Sequence, residues 1–243
     1  MVERHVDESW PGIQLDTLAR VEPNEGMGLS DCREPFETKR AYQFGRRAQD
    51  ILFSALALLA LAPFMLLLAL IIVIDSPGAG PIFVQERIGK NGKSFRFFKF
   101  RSMVPQAEEK LGELLKDNEM DGPVFKIKED PRITRIGKFI RKTGIDELPQ
   151  LLNIFMGEMS FVGPRPERPT VYDDLDGKVE NFRSRMQVMP GLTGYAQVNG
   201  GYDLNPAEKL KYDLIYINHC SVLFDLWCLL KTIPVVFTMK GAR

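Results

Sequence analysis

From Ile51 to Ile74 the chain runs 24 consecutive residues without a charge, nearly all of them Leu, Ala, Ile, Val, Phe or Met. About 20 such residues suffice for an α-helix to cross the ~30 Å hydrocarbon core of a bilayer, so this stretch predicts a membrane-embedded helix. Pro63 stands at its midpoint. A proline there removes one backbone hydrogen bond and crowds the preceding turn, which kinks the helix or lets it bend back to the face it came from. Lys39, Arg40, Arg46 and Arg47 precede the run, and Arg87, Lys90, Lys93, Arg96, Lys99 and Arg101 follow it. Basic flanks favour the cytoplasmic side, and two of them give a simple crossing no orientation. A re-entrant segment satisfies both flanks; a straight anchor satisfies one.

The remainder reads as a polar, enzyme-like body. With 243 residues and 44% hydrophobic content the chain can bury a full core as one large domain or two small ones. Lys and Arg total 32, as do Asp and Glu, so no net charge points to a nucleic-acid partner. The charge is nonetheless segregated: residues 1 to 39 hold nine acids against four bases, leaving the rest net basic, which suits an anionic surface or phosphorylated substrates. Residues 1–40 are punctuated by Pro and Gly and lack an apolar run behind a basic start, so they predict an acidic, poorly ordered extension and no cleaved leader. Cys32, Cys220 and Cys228 show no Cys-x-x-Cys spacing, which points away from a disulfide framework or zinc site and towards a reducing compartment.

Beyond Asp75 the elements shorten. The cluster Pro77 to Pro81 is a turn, and the strand-like runs Ile82 to Gln85 and Ser94 to Phe100 bracket Gly89 to Gly92, which predicts a β-hairpin. Ala107 to Asn118 has the pattern of an exposed amphipathic helix. Asp130-Pro131 resembles a helix start, with Ile133, Ile136, Phe139 and Ile140 at helical spacing and Arg132, Arg135, Lys138 and Arg141 as a basic stripe. Thr143 to Asp146 has capping-box spacing, which places Asp146 and Glu147 in a helix first turn. On that helix Leu148, Leu151, Leu152 and Phe155 form the expected core face, with Asp146, Gln150 and Asn153 opposite. A helix start would keep Asp146 ionised and attract phosphate oxygens, and an ionised carboxylate can attack phosphorus to give an acyl-phosphate. Adjacent acids at a helix start also serve simply as caps.

Three further motifs carry less. Asp174-Leu175-Asp176 mimics the metal-binding Asp-x-Asp of nucleotide-sugar glycosyltransferases, but its Asp/Gly-rich surroundings predict a loop. Gly191 to Gly200 has neither dinucleotide-binding nor P-loop spacing. Val222 to Met239 is apolar but interrupted by Asp225, Lys231 and Pro234, which predicts an interfacial helix in place of a second span.

Four blocks occur in order behind the proline-broken segment: Lys99-Phe100-Arg101-Ser102-Met103, Asp146 to Asn153 (DELPQLLN), Ser160 to Pro166 (SFVGPRP), and Pro190 to Gly200 (PGLTGYAQVNG). Together they resemble the monotopic phosphoglycosyl transferases, bacterial sugar transferases that initiate exopolysaccharide, capsule and glycoconjugate synthesis. The resemblance spans residues 41 to 239. It implies a mainly helical α+β fold: a monotopic membrane protein with a re-entrant helical hairpin over about 48–74 broken at Pro63, a small β-hairpin and interfacial amphipathic helices. Residues 41–243 would form the catalytic domain, on the cytoplasmic face of the bacterial inner membrane. It implies Mg²⁺ dependence and a two-step reaction in which Asp146 attacks the sugar-linked phosphate of a UDP-sugar, UMP leaves, and polyprenyl (undecaprenyl) phosphate takes the phosphosugar. Glu147 completes the dyad and either helps Asp146 hold the metal or handles a proton. Arg141 and Arg165 match basic positions near the phosphates, with Lys99, Arg101 and Arg87 as further parts of an electropositive wall. One departure stands out: Ala62-Pro63 replaces the Ser-Pro found at the helix break in many members. Two other readings compete, a membrane-tethered non-catalytic scaffold and a metal-dependent glycosyltransferase using Asp174 and Asp176.

Overall fold

The computed structural model describes residues 39–107, 109, 130–201 and 204–238. The acidic extension and nearly all of the amphipathic helix expected over Ala107 to Asn118 lie outside these residues. The described fold is mainly helical with two small sheets. Helix α1 is Arg40–Asp75. Strands β1 (Ile82–Ile88) and β2 (Ser94–Phe100) form an antiparallel hairpin in the register Ile82↔Phe100 to Ile88↔Ser94. Helices α2 (Arg135–Thr143) and α3 (Gln150–Met156) follow, joined by a 3₁₀ turn at Ile145–Glu147. Strand β3 (Ser160–Val162) pairs in parallel with β4 (Gly191–Thr193). Between them lies α4 (Pro169–Leu175), and after them come α5 (Tyr195–Val198), α6 (Pro206–His219) and α7 (Val222–Thr238).

Helix α1 has the length and apolarity to cross a membrane, and its most apolar window is almost bare of protein. Helical residues continue on both sides of Pro63, which removes one hydrogen bond from the ladder and separates the segment into two arms. The body grips both ends. At the start Lys39 Nζ donates to the Cys220 carbonyl at 3.1 Å, and Tyr42 donates to Asp225 at 2.6 Å. At the end Asp75 accepts from the Ile136 amide at 3.2 Å. Between these points Ala57, Leu58 and Leu61 pack on Phe97, Leu151 and Ile154, while Leu68 and Ile72 pack on Phe100 and Ile140. The other side, including Leu59, Leu66 and Ile74, is exposed.

A buried polar cluster fastens the first arm. Arg46 Nε donates to Ser160 Oγ at 2.9 Å, Nη2 donates to the Val162 carbonyl, and Ser160 Oγ donates to Asp50 at 3.1 Å. The Phe161 amide adds a 3.2 Å bond to Asp50, and Asp225 accepts from Tyr216 at 2.7 Å and lies 3.9 Å from Arg46. These groups satisfy one another, which is the condition for burying charge inside an apolar contact.

Several local expectations change. The hairpin forms as the alternation predicted, with β1 extending to Ile88. The helix expected from Asp130-Pro131 begins at Arg135 with Thr134 as its cap. Met103 pairs with Ile133 in a β-bridge, which keeps Ile133 extended, and Asp130 turns its carboxylate onto Arg132 at 2.6 Å instead of capping a helix. Arg132 is therefore buried and leaves the basic stripe. On α3 the predicted faces are partly exchanged: Leu152 and Phe155 are exposed, whereas Gln150 and Asn153 are fully buried. Asn153 accepts from the Phe98 amide at 3.1 Å and donates to the Arg96 carbonyl at 2.6 Å, closing the outer edge of β2. Asp174 lies in α4 and Asp176 caps it, so the expected loop is helical there; both are exposed, and Arg183 sits 3.6 Å from Asp176.

Candidate active site

Alternation along the hairpin builds one wall of a cleft. Side chains point alternately to the two faces of a strand, so Phe83, Gln85 and Arg87 share a face with Phe97 and Lys99 across the ladder. Lys99 Nζ and the Arg87 guanidinium each lie within 6 Å of the Phe97 ring centre, at 5.6 and 5.2 Å. The cleft they border has a volume of about 1500 Å³. Lys99, Arg101, Arg141, Asp146, Glu147, Arg165 and Arg87, the polar residues singled out from the sequence, all line it. Pro63 does not; it lies in α1.

The dyad sits on a turn, not at a helix start. Thr143 belongs to the last turn of α2 and donates to the Phe139 carbonyl at 2.9 Å, so the expected capping box is absent. Gly144 ends α2 in the left-handed region (φ 71°), where a side chain would be strained, and the chain turns straight into Ile145–Glu147. A three-residue turn supplies little dipole. Cations do that work instead, with Lys99 Nζ 3.6 Å from Asp146 Oδ2 and 2.8 Å from Glu147 Oε1.

Arg165 arrives on the loop after β3. Gly163 and Gly191 let two backbones touch: a Cβ on Gly191 would stand 2.1 Å from the Gly163 nitrogen. Bonds from Gly163 N to Thr193 O (2.8 Å) and from Gly191 N to Pro164 O (2.9 Å) then fix the loop. From it Arg165 reaches Glu147 Oε1 at 2.5 Å and Oε2 at 3.3 Å, a two-pronged contact. Arg87 holds the same loop from the other side, donating to the Pro166 carbonyl at 3.1 Å and pairing with Glu167 at 3.4 Å. Arg101 donates to the Gly80 carbonyl at 2.7 Å and so braces the hairpin base at the cleft rim.

The two acids have opposite electrostatics. Burial pushes the Asp146 carboxyl above its ordinary range, with Lys99 pulling against it and Glu147 adding to the rise. Burial also works to raise Glu147, but Arg165 and Lys99 outweigh it and hold that carboxyl well below the usual range. Glu147 is thus firmly ionised between two cations, while Asp146 has the more tunable carboxylate.

Sequence reasoning missed a second ionic group on the cleft wall. Arg185 and Glu167 line the cleft, Arg185 Nη2 lies 2.7 Å from Asp213 Oδ2, and Nη1 is 3.8 Å from Glu167. Arg185 carries no local pattern. Asp213 carries one, because it falls on the buried stripe Leu210, Asp213, Ile217 of α6, where a charge requires a partner. Among the described residues no group of three or more His, Cys, Asp or Glu side chains could hold a metal. Mg²⁺ is commonly bound by only one or two carboxylates together with substrate phosphates, so Asp146 fits an ion that arrives with its substrate, while the oxygens of Glu147 are occupied by Lys99 and Arg165.

Residues 41–239 match the family model described as bacterial sugar transferase. The chain is 38% identical over 205 residues to the UDP-N-acetylgalactosamine-undecaprenyl-phosphate N-acetylgalactosaminephosphotransferase of Aeromonas hydrophila, covering 83% of this chain and 46% of that protein. It is 41% identical over 225 residues to the galactosyl transferase CpsE of Streptococcus agalactiae, covering 92% and 49%. With the exopolysaccharide production protein ExoY of Sinorhizobium fredii it shares 39% identity over 201 residues, covering 81% and 87%. The chain thus spans about half the length of the first two relatives and most of the third.

Proposed function

This chain belongs to the bacterial sugar transferase family, and from that premise we propose that it moves a sugar 1-phosphate from a UDP-sugar to polyprenyl (undecaprenyl) phosphate, releasing UMP. The step would open the synthesis of an exopolysaccharide, capsule or related glycan. The observation that carries the reading is the pairing of a buried carboxylate, Asp146, with Lys99, Arg165 and Arg141 on the wall of a large cleft. A non-catalytic scaffold has no use for this arrangement. A glycosyltransferase built on Asp174 and Asp176 lacks support, since both acids are exposed on α4 and its cap, outside the cleft.

In this reading an Asp146 oxygen attacks the sugar-linked phosphorus, the bond from that phosphorus to the UMP oxygen breaks, and UMP departs with the electron pair. A phosphate oxygen of the lipid then attacks the same phosphorus and frees the carboxylate. Phosphoryl transfer between anions needs cations to offset the accumulating negative charge, which is the role of Arg141, Arg165 and Lys99. Glu147 holds Lys99 and Arg165 in place through its two oxygens and moves no proton. Mg²⁺, held by Asp146 with the substrate phosphates, would supply further charge neutralisation at the pyrophosphate.

Membrane seating follows from α1. Both of its ends bond to one body, which favours a re-entrant segment whose flanks share the cytoplasmic face of the inner membrane over a crossing that would separate them. The exposed apolar residues of α1 and α7 supply the lipid contact, with α7 lying at the interface.

The test is to supply a UDP-sugar with Mg²⁺ and no lipid. UMP should be released in proportion to enzyme, and the peptide containing Asp146 should gain the mass of a phosphosugar. Release of UDP would indicate direct glycosyl transfer. Release of UMP only after lipid is added would indicate attack by the lipid phosphate in a ternary complex.

A further inference from the structure

The cleft is larger than one nucleotide sugar requires, since small-molecule sites generally measure about 300–1000 Å³ and this one is about 1500 Å³. Its lining is also divided. The hairpin, the dyad turn and the Arg165 loop contribute charge, whereas β4, α5 and α7 contribute no charged residue to it and supply Leu192, Ala196, Leu229, Pro234 and Val235. The last three belong to α7.

Helix α7 has a second apolar side. Val222, Leu223, Leu226, Leu230 and Ile233 recur at helical spacing and are exposed. Its inner side is fixed by the buried Phe224 and Cys228 and by Thr232 Oγ1, which is 2.7 Å from Thr193 Oγ1 on β4. Leu229 therefore lies on the margin where the cleft meets the exposed stripe, itself 38% exposed. Helix α1, which has the longer exposed apolar surface, contributes no residue to the cleft, and α3 contributes only the buried Leu151.

We propose that the isoprenoid chain of the acceptor lipid leaves the cleft across α7, over Leu229, Pro234 and Val235, so that its phosphate enters facing the dyad. The proposal rests on the function proposed above and adds the path of the second substrate. A chain already dissolved in hydrocarbon gains little hydrophobic energy from an apolar wall. The wall instead acts by orientation, excluding lipid phosphates that approach from other directions, as holding two reactants in line does in general.

The test uses the full chain in phosphatidylethanolamine/phosphatidylglycerol liposomes with undecaprenyl phosphate carrying a diazirine on the isoprene unit next to the phosphate. Irradiation followed by peptide mapping should place the adduct between Leu226 and Val235. Adducts confined to α1, or spread evenly over α1, α3 and α7, would overturn the path. Leu229→Asp should reduce the α7 adduct roughly tenfold or more, a modest share of the penalty for a carboxylate facing hydrocarbon. Leu223→Asp, with the same charge on the outer stripe, should leave the adduct in place. Equal loss in both variants would show that membrane seating of α7 is responsible and would also overturn it. If the unirradiated protein releases no UMP from any UDP-sugar, the proposed function fails; if product forms while the adduct maps elsewhere, only the path fails.

Discussion

One ionic cluster is built on β3 and another on the loop that follows it, and they differ in what surrounds them. Arg46 bonds to Ser160 and Val162 within the strand and is closed in by Asp50, Asp225 and Tyr42. Three residues beyond the strand, Arg165 pairs with Glu147 on the wall of an open cleft. Both clusters combine an arginine with carboxylates, directly at 2.5 Å between Arg165 and Glu147, and through Ser160 or at 3.9 Å around Arg46. In the closed one every charge is answered by protein and none faces a ligand, so it can only hold the helix to the body. The open one has the same chemistry with room for an anion to compete for its cations. Burial and pairing alone therefore do not identify a reactive group; access does.

Substitutions should separate the clusters. The largest expected effect is that of Asp146→Asn, which removes the nucleophile while keeping its shape: turnover and covalent adduct should both vanish, with thermal stability nearly unchanged. Detectable UMP release by this variant would break the assignment. Arg165→Ala should lower turnover by about a thousandfold, the scale on which an arginine stabilises phosphoryl transfer, again with the protein folded and membrane-bound. Arg46→Ala should behave in the opposite way. Leaving Asp50 and Asp225 buried without their cation should cost about 3 kcal/mol or more of stability, measured as a lower unfolding midpoint in detergent, while turnover per folded molecule stays within a fewfold of normal. An Arg46 variant that is stable but inactive would erase the distinction. The smallest effect belongs to Arg183→Ala, whose pairs with Asp173 and Asp176 are exposed. Its loss should shift stability by under about 0.5 kcal/mol and activity not at all.

What could be read from the sequence followed the range of the forces involved. The apolar run and α7 announce themselves through apolar content and the hairpin through strand-like runs around a turn, and α7 in particular begins at the expected residue. The polar cleft residues could be named because they stand in contiguous blocks. Their mutual arrangement could not, since Lys99 reaches Glu147 across 48 residues and no local rule says so. The capping box at Thr143 failed because Gly144 ended the preceding helix first. The face of α3 was misjudged because the pattern assumes water outside. Leu152 and Phe155 can remain uncovered where the surroundings are lipid, and Asn153 is buried because the edge of β2 requires a partner. Arg185 was invisible because its partner Asp213 lies on another helix.

The attachment of α1 has a consequence for how the molecule is made. Its anchoring partners come late in the chain: Ser160 lies 110 residues after Asp50, and Cys220 lies 181 after Lys39. At a synthesis rate of about 5–20 residues per second, roughly 7 to 30 seconds separate the making of Asp75, the end of the helix, from that of Asp225, the last of its partners. Until β3 is made, Arg46 and Asp50 lack Ser160 and the Val162 carbonyl and have only their own helix to answer them, and closing so long a loop is slow. The nascent protein must therefore choose its surroundings before it can complete its fold, and the polar cluster can close fully only once Asp225 has been made. A truncation just before β3 would leave the helix with neither Ser160 nor Val162 to hold Arg46.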